Sequence, residues 1–304
     1  MPAVDLNRVT KRYGATTALD DVSLSVEPGE MFGIIGPDGA GKTTMIRVLC
    51  GLLRADAGTV SIVGKDPVRE HRLVSDRVGY LSQRFSLYGD LSVDENIAFF
   101  ADIHGVSRYQ ARRDRLLEMT RLAPFRGRRA DRLSGGMKQK LALACTLVHE
   151  PEVILLDEPT TGVDPVSRRE FWKLLSEFLS GGLTILMATP YLDEAERCAR
   201  VALLHEGRIL AVDRPRHLQE SFAGELYEVA ARPHRTAFDA LASVEGVQDR
   251  QTFGERIHVR AAAGTGPRLE PAMRLALGRA GVDVTSIRRV PPSLEDVFID
   301  RVRT

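Results

Sequence analysis

Gly36-Pro37-Asp38-Gly39-Ala40-Gly41-Lys42-Thr43 is the stretch on which the fold turns. It follows the apolar run Met31-Phe32-Gly33-Ile34-Ile35, which reads as a fully buried strand, and it opens a segment of helical character from Lys42 to Leu49. Strand, GxxxxGK[ST] turn and helix in that order are the context a phosphate-binding loop requires. Glycines let the backbone turn tightly, so that successive N–H groups and the positive end of the helix dipole surround the β- and γ-phosphates of a nucleotide. Lys42 adds a point charge, Thr43 offers a hydroxyl to Mg²⁺, and Thr44 continues the same turn. A glycine-rich turn with no ligand is the bland alternative, and the flanking strand and helix make it the poorer one.

Outward from the loop, Val4 to Tyr13 and Ala18 to Val26 alternate in polarity like half-buried strands, and Glu27-Pro28-Gly29-Glu30 turns the chain into the buried one. Downstream, Gly58 to Val63, Val78 to Ser82, Val153 to Leu156 and Leu183 to Ala188 read as strands. Helices are expected from Val93 to His104 and Arg108 to Leu122, and Phe171, Leu174, Leu175 and Phe178 form an apolar helical stripe. This is the rhythm of an α/β protein with a sandwiched parallel sheet.

After about Phe222 the pattern changes to a small α+β arrangement. Strands are expected near Leu226 to Ala230, Gly246 to Asp249, Ile257 to Ala261 and Val282 to Arg288, with helices near Thr236 to Leu241 and Arg268 to Leu277. Two domains follow, 1–221 and 222–304, in line with a 304-residue chain.

Composition narrows the class. An apolar fraction of 43% and a charged fraction of 27% are ordinary for a globular protein, and a formal net charge of +1 gives no global attraction to nucleic acid or an anionic membrane. Cys50, Cys145 and Cys198 have no metal or redox spacing and read as reduced, mostly buried thiols. No stretch approaches the ~18 uninterrupted apolar residues of a membrane span, and the start shows no signal-peptide core, so a cytoplasmic location is expected.

Two further stretches carry chemistry. Val153-Ile154-Leu155-Leu156-Asp157-Glu158 is an apolar strand ending in two carboxylates, where Asp157 can hold Mg²⁺ and Glu158 can polarise an attacking water. Between loop and acids lies Leu133-Ser134-Gly135-Gly136-Met137-Lys138-Gln139, a serine and two glycines opening a helix that runs to Val148. In this order the three stretches resemble the ATP-binding cassette transporter ATPases, whose signature reads LSGGQ; here Met137 stands at the glutamine position. The resemblance covers about residues 3 to 220.

What the resemblance implies is specific: a P-loop core with a helical and an antiparallel β subdomain, ATP and Mg²⁺ as ligands, and a transmembrane permease as partner. It implies that Tyr13 stacks on adenine and that Gln83 reaches metal and water while linking nucleotide to the membrane partner. Ser134, Gly135 and Gly136 would contact the γ-phosphate held by a second cassette, and Asp164 would line that dimer contact. The second cassette could be an identical or a different chain, and the pair would sit on the inner face of the cell membrane. Taken singly, Tyr13 reads as packing and Gln83 as a surface amide; order and spacing give them their weight. Soluble cassette proteins acting on nucleic acid carry two cassettes, long coiled coils or zinc-spaced cysteines, none of which is seen in this sequence.

One position departs from the pattern. Where the family carries a γ-phosphate-contacting histidine, the segment Met187-Ala188-Thr189-Pro190-Tyr191 has Pro190, which supplies neither imidazole nor N–H. Losing one such donor costs about 10²- to 10³-fold in rate. Slow hydrolysis, or a nucleotide-binding regulator with little hydrolysis of its own, therefore stands beside an active ATPase. From Arg108 to Arg132 nine arginines face only Asp114, Glu118 and Asp131, which reads as a solvated face or as a contact for anionic headgroups or an acidic coupling segment. The ending Pro292-Ser293-Leu294-Glu295-Asp296-Val297-Phe298-Ile299 resembles the tail of bacterial drug-, polysaccharide- and antibiotic-export ATPases, which makes a drug-like or hydrophobic compound the expected cargo.

Overall fold

The computed structural model describes residues 1–83 and 87–303. The chain divides into two compact units, Met1–Pro215 and Arg216–Thr304. The boundary falls a few residues before the one read from the sequence, since Ser221 and Ala223 accept hydrogen bonds from Arg301 (3.2 Å) and Arg260 (3.2 Å) within the second unit.

The first unit runs β1 (Val4–Tyr13), β2 (Thr16–Val26), β3 (Met31–Ile35), α1 (Lys42–Leu49), β4 (Ala57–Ile62), α2 (His71–Ser75), β5 (Val78–Leu81), α3 (Val93–Ile103) and α4 (Gln110–Thr120). It continues with α5 (Gly135–Leu147), β6 (Val153–Asp157), α6 (Pro165–Ser180), β7 (Thr184–Thr189), α7 (Leu192–Ala195), β8 (Arg200–His205) and β9 (Arg208–Asp213). Its central sheet has the order β5-β6-β7-β3-β8-β9, parallel except for β9. Every residue of β3, β6 and β7 is buried, as unbroken runs such as Met31-Phe32-Gly33-Ile34-Ile35 require when both faces are covered. Each Leu or Ile so buried contributes about 1.5–3 kcal/mol. β1, β2 and β4 form a separate antiparallel sheet in the order β2-β1-β4, whose alternating pattern buries one face against the core.

Because β3, β6 and β7 are parallel and in register, Ile35 pairs with Thr189 and Asp157 with Ala188. The chain therefore leaves three neighbouring strands at one edge of the sheet, the crevice beyond the carboxyl ends where α/β sheets bind ligands. The sequence reading passes over β8 and β9. The buried run Val201 to Leu204 and the turn at Glu206-Gly207, with φ values of 46° and 78°, are the signals that mark this hairpin.

α3 begins at a capping box, Ser92 accepting from the Glu95 N–H while Glu95 accepts from the Ser92 N–H. The arginine-rich stretch over α4 and beyond is largely paired. Arg112 meets Glu150, Arg126 meets both Asp94 (3.1 Å) and Asp114 (2.5 Å), Arg121 meets Glu170 (3.3 Å), and Arg129 meets Asp131 (3.1 Å). These pairs favour the solvated-face reading over a free cationic patch.

The second unit contains α8 (Pro215–Glu220, its first residue belonging to the first unit), β10 (Glu225–Arg232), α9 (His234–Ala240), β11 (Val247–Phe253), β12 (Arg256–Ala261), α10 (Gly266–Arg279), β13 (Asp283–Val290) and α11 (Leu294–Arg303). Its sheet is antiparallel, in the order β11-β12-β10-β13, with Val229, Ile257, Val259, Met273, Leu277 and Ile287 among its own core.

Candidate functional site

The loop between β3 and α1 is shaped by glycines that nothing else could replace. A Cβ on Gly36 would lie 2.1 Å from the Leu204 carbonyl oxygen, and one on Gly41, at φ 109°, would lie 2.4 Å from that of Ala18. Gly41 is the N-cap of α1, which has no side-chain cap and no acid in its first turn. Its leading N–H groups are thus left for an anion, as a phosphate cradle needs. Lys42 is buried at 4% exposure, and its ammonium donates to the carbonyls of Gly36 (2.9 Å) and Pro37 (3.0 Å). The same ammonium lies 3.4 Å from Glu158 Oε1 and 3.8 Å from Asp38, whose side chain is exposed. Ala40 is buried under the loop and its carbonyl accepts from the Gly207 N–H at 2.9 Å, while Gly39 turns at φ 80°.

The acidic end of β6 closes the site. Thr43 Oγ1 donates to Asp157 Oδ1 at 3.0 Å. Burial raises the Asp157 carboxyl above its ordinary range, the Glu158 charge adds to this, and the Thr43 hydrogen bond opposes it. A hydroxyl beside a carboxylate whose charged form is disfavoured fits a divalent cation, which would relieve that cost. Thr44 follows, half-buried.

Glu158 stands one residue past the strand at φ 49°, a left-handed conformation costing about 1–2 kcal/mol in a residue with a side chain. Its N–H donates to the Ala188 carbonyl at 2.8 Å, adding one rung beyond the β6–β7 ladder and holding that conformation. Its Oε2 accepts from Gln83 Nε2 (3.0 Å) and Thr161 Oγ1 (3.3 Å). The exposed Gln83 amide and the buried Lys42 ammonium therefore meet on one carboxylate. Thr161, which the sequence reading passed over, belongs to this group.

The remaining expected residues are held elsewhere. Ser134 caps α5, its Oγ accepting from the Met137 N–H at 3.3 Å. Asp164 caps α6, accepting from the Val166 and Ser167 N–H groups at 3.0 Å each, and those bonds, with the Ser167 side chain first, hold its carboxyl below the usual range. Gly135 faces open space, whereas a Cβ on Gly136 would lie 2.3 Å from Ser167 Oγ. Gly136 thus has a packing cause within the chain itself. Tyr13 ends β1 at 46% exposure, with the Lys11 ammonium 5.8 Å from its ring centre. Pro190 directly follows β7, whose last residue is Thr189, and offers no N–H at the position after the strand.

Comparison with known proteins gives this geometry its family. The model of the ABC transporter family matches residues 19–161. The probable multidrug ABC transporter ATP-binding protein YbhF of Escherichia coli is 40% identical over 98% of this chain and 51% of its own length, so this chain spans about half of that relative. The daunorubicin resistance ATP-binding protein DrrA3 of Streptomyces coeruleorubidus is 38% identical over 98% of this chain and 95% of its own. Among solved structures, a dimeric bacterial ABC transporter cassette matches with a TM-score of 0.62 and 28% identity, over 69% of this chain and 98% of that one. The chain belongs to the ABC transporter family, among its ATP-binding proteins. Among the described residues no helix is long and apolar enough to cross a membrane.

Proposed function

We propose that this chain is the ATP-hydrolysing subunit of an exporter whose membrane-spanning part is a separate permease. The observation that carries the reading is the convergence of Lys42, Gln83 and Thr161 on Glu158, next to the Thr43–Asp157 pair. ATP lies along Gly36 to Thr44, with its adenine against Tyr13. Thr43, Asp157 and Gln83 would hold Mg²⁺, which when bound would neutralise charge on the phosphates. Glu158 accepts a proton from the attacking water.

A second cassette, identical or different, brings its Ser134, Gly135 and Gly136 to the γ-phosphate, with Asp164 at the contact. A matched solved structure that is itself a cassette dimer supports this arrangement. Relatives named for multidrug transport and daunorubicin resistance support a drug-like or otherwise hydrophobic cargo, with the chain peripheral on the inner face of the membrane. The second unit serves as an accessory or regulatory domain. Retention of Glu158 and its partners speaks against a purely regulatory cassette, and Pro190 sets the rate rather than the reaction.

The test is Mg²⁺-dependent ATP hydrolysis by the purified chain beside Pro190→His and Glu158→Gln, with ATP binding measured separately. We expect slow turnover that Pro190→His raises on the order of 10- to 10²-fold. Turnover that survives Glu158→Gln intact would remove Glu158 from the chemistry.

A further inference from the structure

Behind the site lies a second carboxylate that none of the motifs contains. Glu194, on the short α7, is 1% exposed, and both of its oxygens are occupied by partners from different parts of the chain. Oε1 accepts from the Thr160 hydroxyl and, at 3.4 Å, from the Trp172 indole N–H of α6, with Arg168 Nε at 3.7 Å. Oε2 accepts from the Thr189 hydroxyl at 2.7 Å. Thr160, Thr189 and Trp172 are themselves at most 3% exposed.

The placement of these partners has a consequence for Glu158. Thr160 lies two residues beyond Glu158, and Thr189 immediately precedes Pro190. The Thr189 hydroxyl, while donating to Glu194, accepts from the Tyr191 N–H at 3.1 Å, so it fixes the backbone on both sides of Pro190. The Glu158 N–H is already bonded to the Ala188 carbonyl. The segment carrying the base and the segment after β7 are therefore stitched twice, by a backbone rung at Ala188 and by one carboxylate that both threonine hydroxyls share. A buried carboxylate with every oxygen satisfied is a rigid joint, because freeing either partner leaves an unpaired polar group in the interior.

We propose that Glu194 is a positioning residue for hydrolysis: its carboxylate makes the Glu158–Thr161 segment and the Thr189–Tyr191 segment move as one body, and links both to α6 through Trp172. Where the family's histidine is replaced by Pro190, this joint is what keeps the post-β7 segment in step with the base. The inference rests on the ATPase reading above. Trp172 is the chain's single tryptophan, so the emission arises at this joint, with the Arg197 guanidinium 5.4 Å from the ring centre as its other charged neighbour.

The experiment uses the full chain. Trp172 emission is titrated with Mg·ATP while binding is followed independently with a fluorescent ATP analogue, and kcat and KM are measured for wild type, Glu194→Gln, Thr160→Val, Thr189→Val and the double threonine variant. In the wild type the emission should change over the same ATP range as binding. In Glu194→Gln, binding and KM should stay within about threefold, the emission response should vanish, and kcat should fall on the order of 10- to 10²-fold, the scale of a misplaced catalytic group. The two threonine variants should each lower kcat, and the double variant should be little worse than the worse single one, since both break one joint. Wild-type turnover in Glu194→Gln, or threonine effects that multiply, overturns the proposal while leaving the ATPase reading in place. A wild-type chain that binds no ATP overturns that reading first and this proposal with it. Should Glu194→Gln not fold, the threonine series decides alone.

Discussion

Glu158 and Glu194 stand behind the same pair of strand ends and are held in opposite ways. Glu158 is reached by an ammonium, an exposed amide and a hydroxyl from three separate stretches of chain, all facing the crevice where a ligand would sit. Glu194 is reached by two threonines, an indole and a guanidinium, all directed inward. The first set can exchange partners when a phosphate and a metal arrive; the second cannot without exposing an interior. On the proposed reading one carboxylate reacts and the other holds, although the same kind of side chain serves both.

That contrast can be broken by moving each carboxylate in turn. Glu158→Gln should lower turnover on the order of 10³-fold, about 4 kcal/mol of transition-state stabilisation, with the unfolding midpoint nearly unchanged. Glu194→Ala should do the reverse in kind, costing about 3 kcal/mol of folding stability because the indole N–H and both hydroxyls lose their acceptor in the interior and Arg168 loses a counter-charge 3.7 Å away. Thermal unfolding of the two variants side by side checks this. Equal losses of stability would mean that Glu158 is as structural as Glu194.

Gly136 sharpens the comparison because it belongs to a signature stretch yet packs like a core residue. An added methyl would meet Ser167 Oγ at 2.3 Å and Ser167 Cβ at 2.5 Å, at the start of α6. Gly136→Ala should cost about 2 kcal/mol by overpacking, and Ser167→Gly in the same chain should restore much of it. Chemical denaturation of the two single variants and the double variant measures the coupling. A loss of activity with no loss of stability would instead make Gly136 purely a ligand contact.

What could be read from the sequence follows the same division. β3, the loop and α1 were legible because an apolar run, glycines and a lysine at fixed spacing have one physical reason to occur together. The acids at the end of β6 were legible for the same reason, and their partner Gln83 through resemblance. Glu194 was not, since Leu192 to Arg197 reads only as a short helix, and it is the packing of α7 against β3 and β7, with Trp172 of α6 on the same carboxylate, that buries the residue. β8 and β9 were missed although Val201-Ala202-Leu203-Leu204 is as apolar as β6, because Arg200 and His205 at its ends disguise a central strand as a short amphipathic stretch. Packing neighbours such as Ser167 under Gly136 have no sequence signal at all, being set by the approach of two helices distant in the chain.

The smallest effect concerns a buried group without the compensation Glu194 enjoys. His149 follows α5, its ring stacked on that of His104 with centres 3.7 Å apart and planes 6° from parallel. Burial pushes its pKa down to about 4, and the charges of His104 and Arg112 push the same way. Burial likewise holds His104 below its ordinary value. Where Glu194 is surrounded by hydrogen-bond donors, His149 is kept neutral by burial. Its folded pKa lies below the unfolded value of about 6.5, so the unfolded chain takes up the proton first. The stabilisation is therefore fully present above about pH 6.5 and is lost as the pH falls from there toward 4. Allowing for the partial exposure of the ring, the loss should be about 1 kcal/mol by pH 5. His149→Phe keeps a ring on His104 but cannot titrate, so its unfolding free energy should fall less than that of the wild type between pH 7 and 5. Parallel curves for the two chains would assign the acid sensitivity to other groups and leave the stacked pair a packing contact alone.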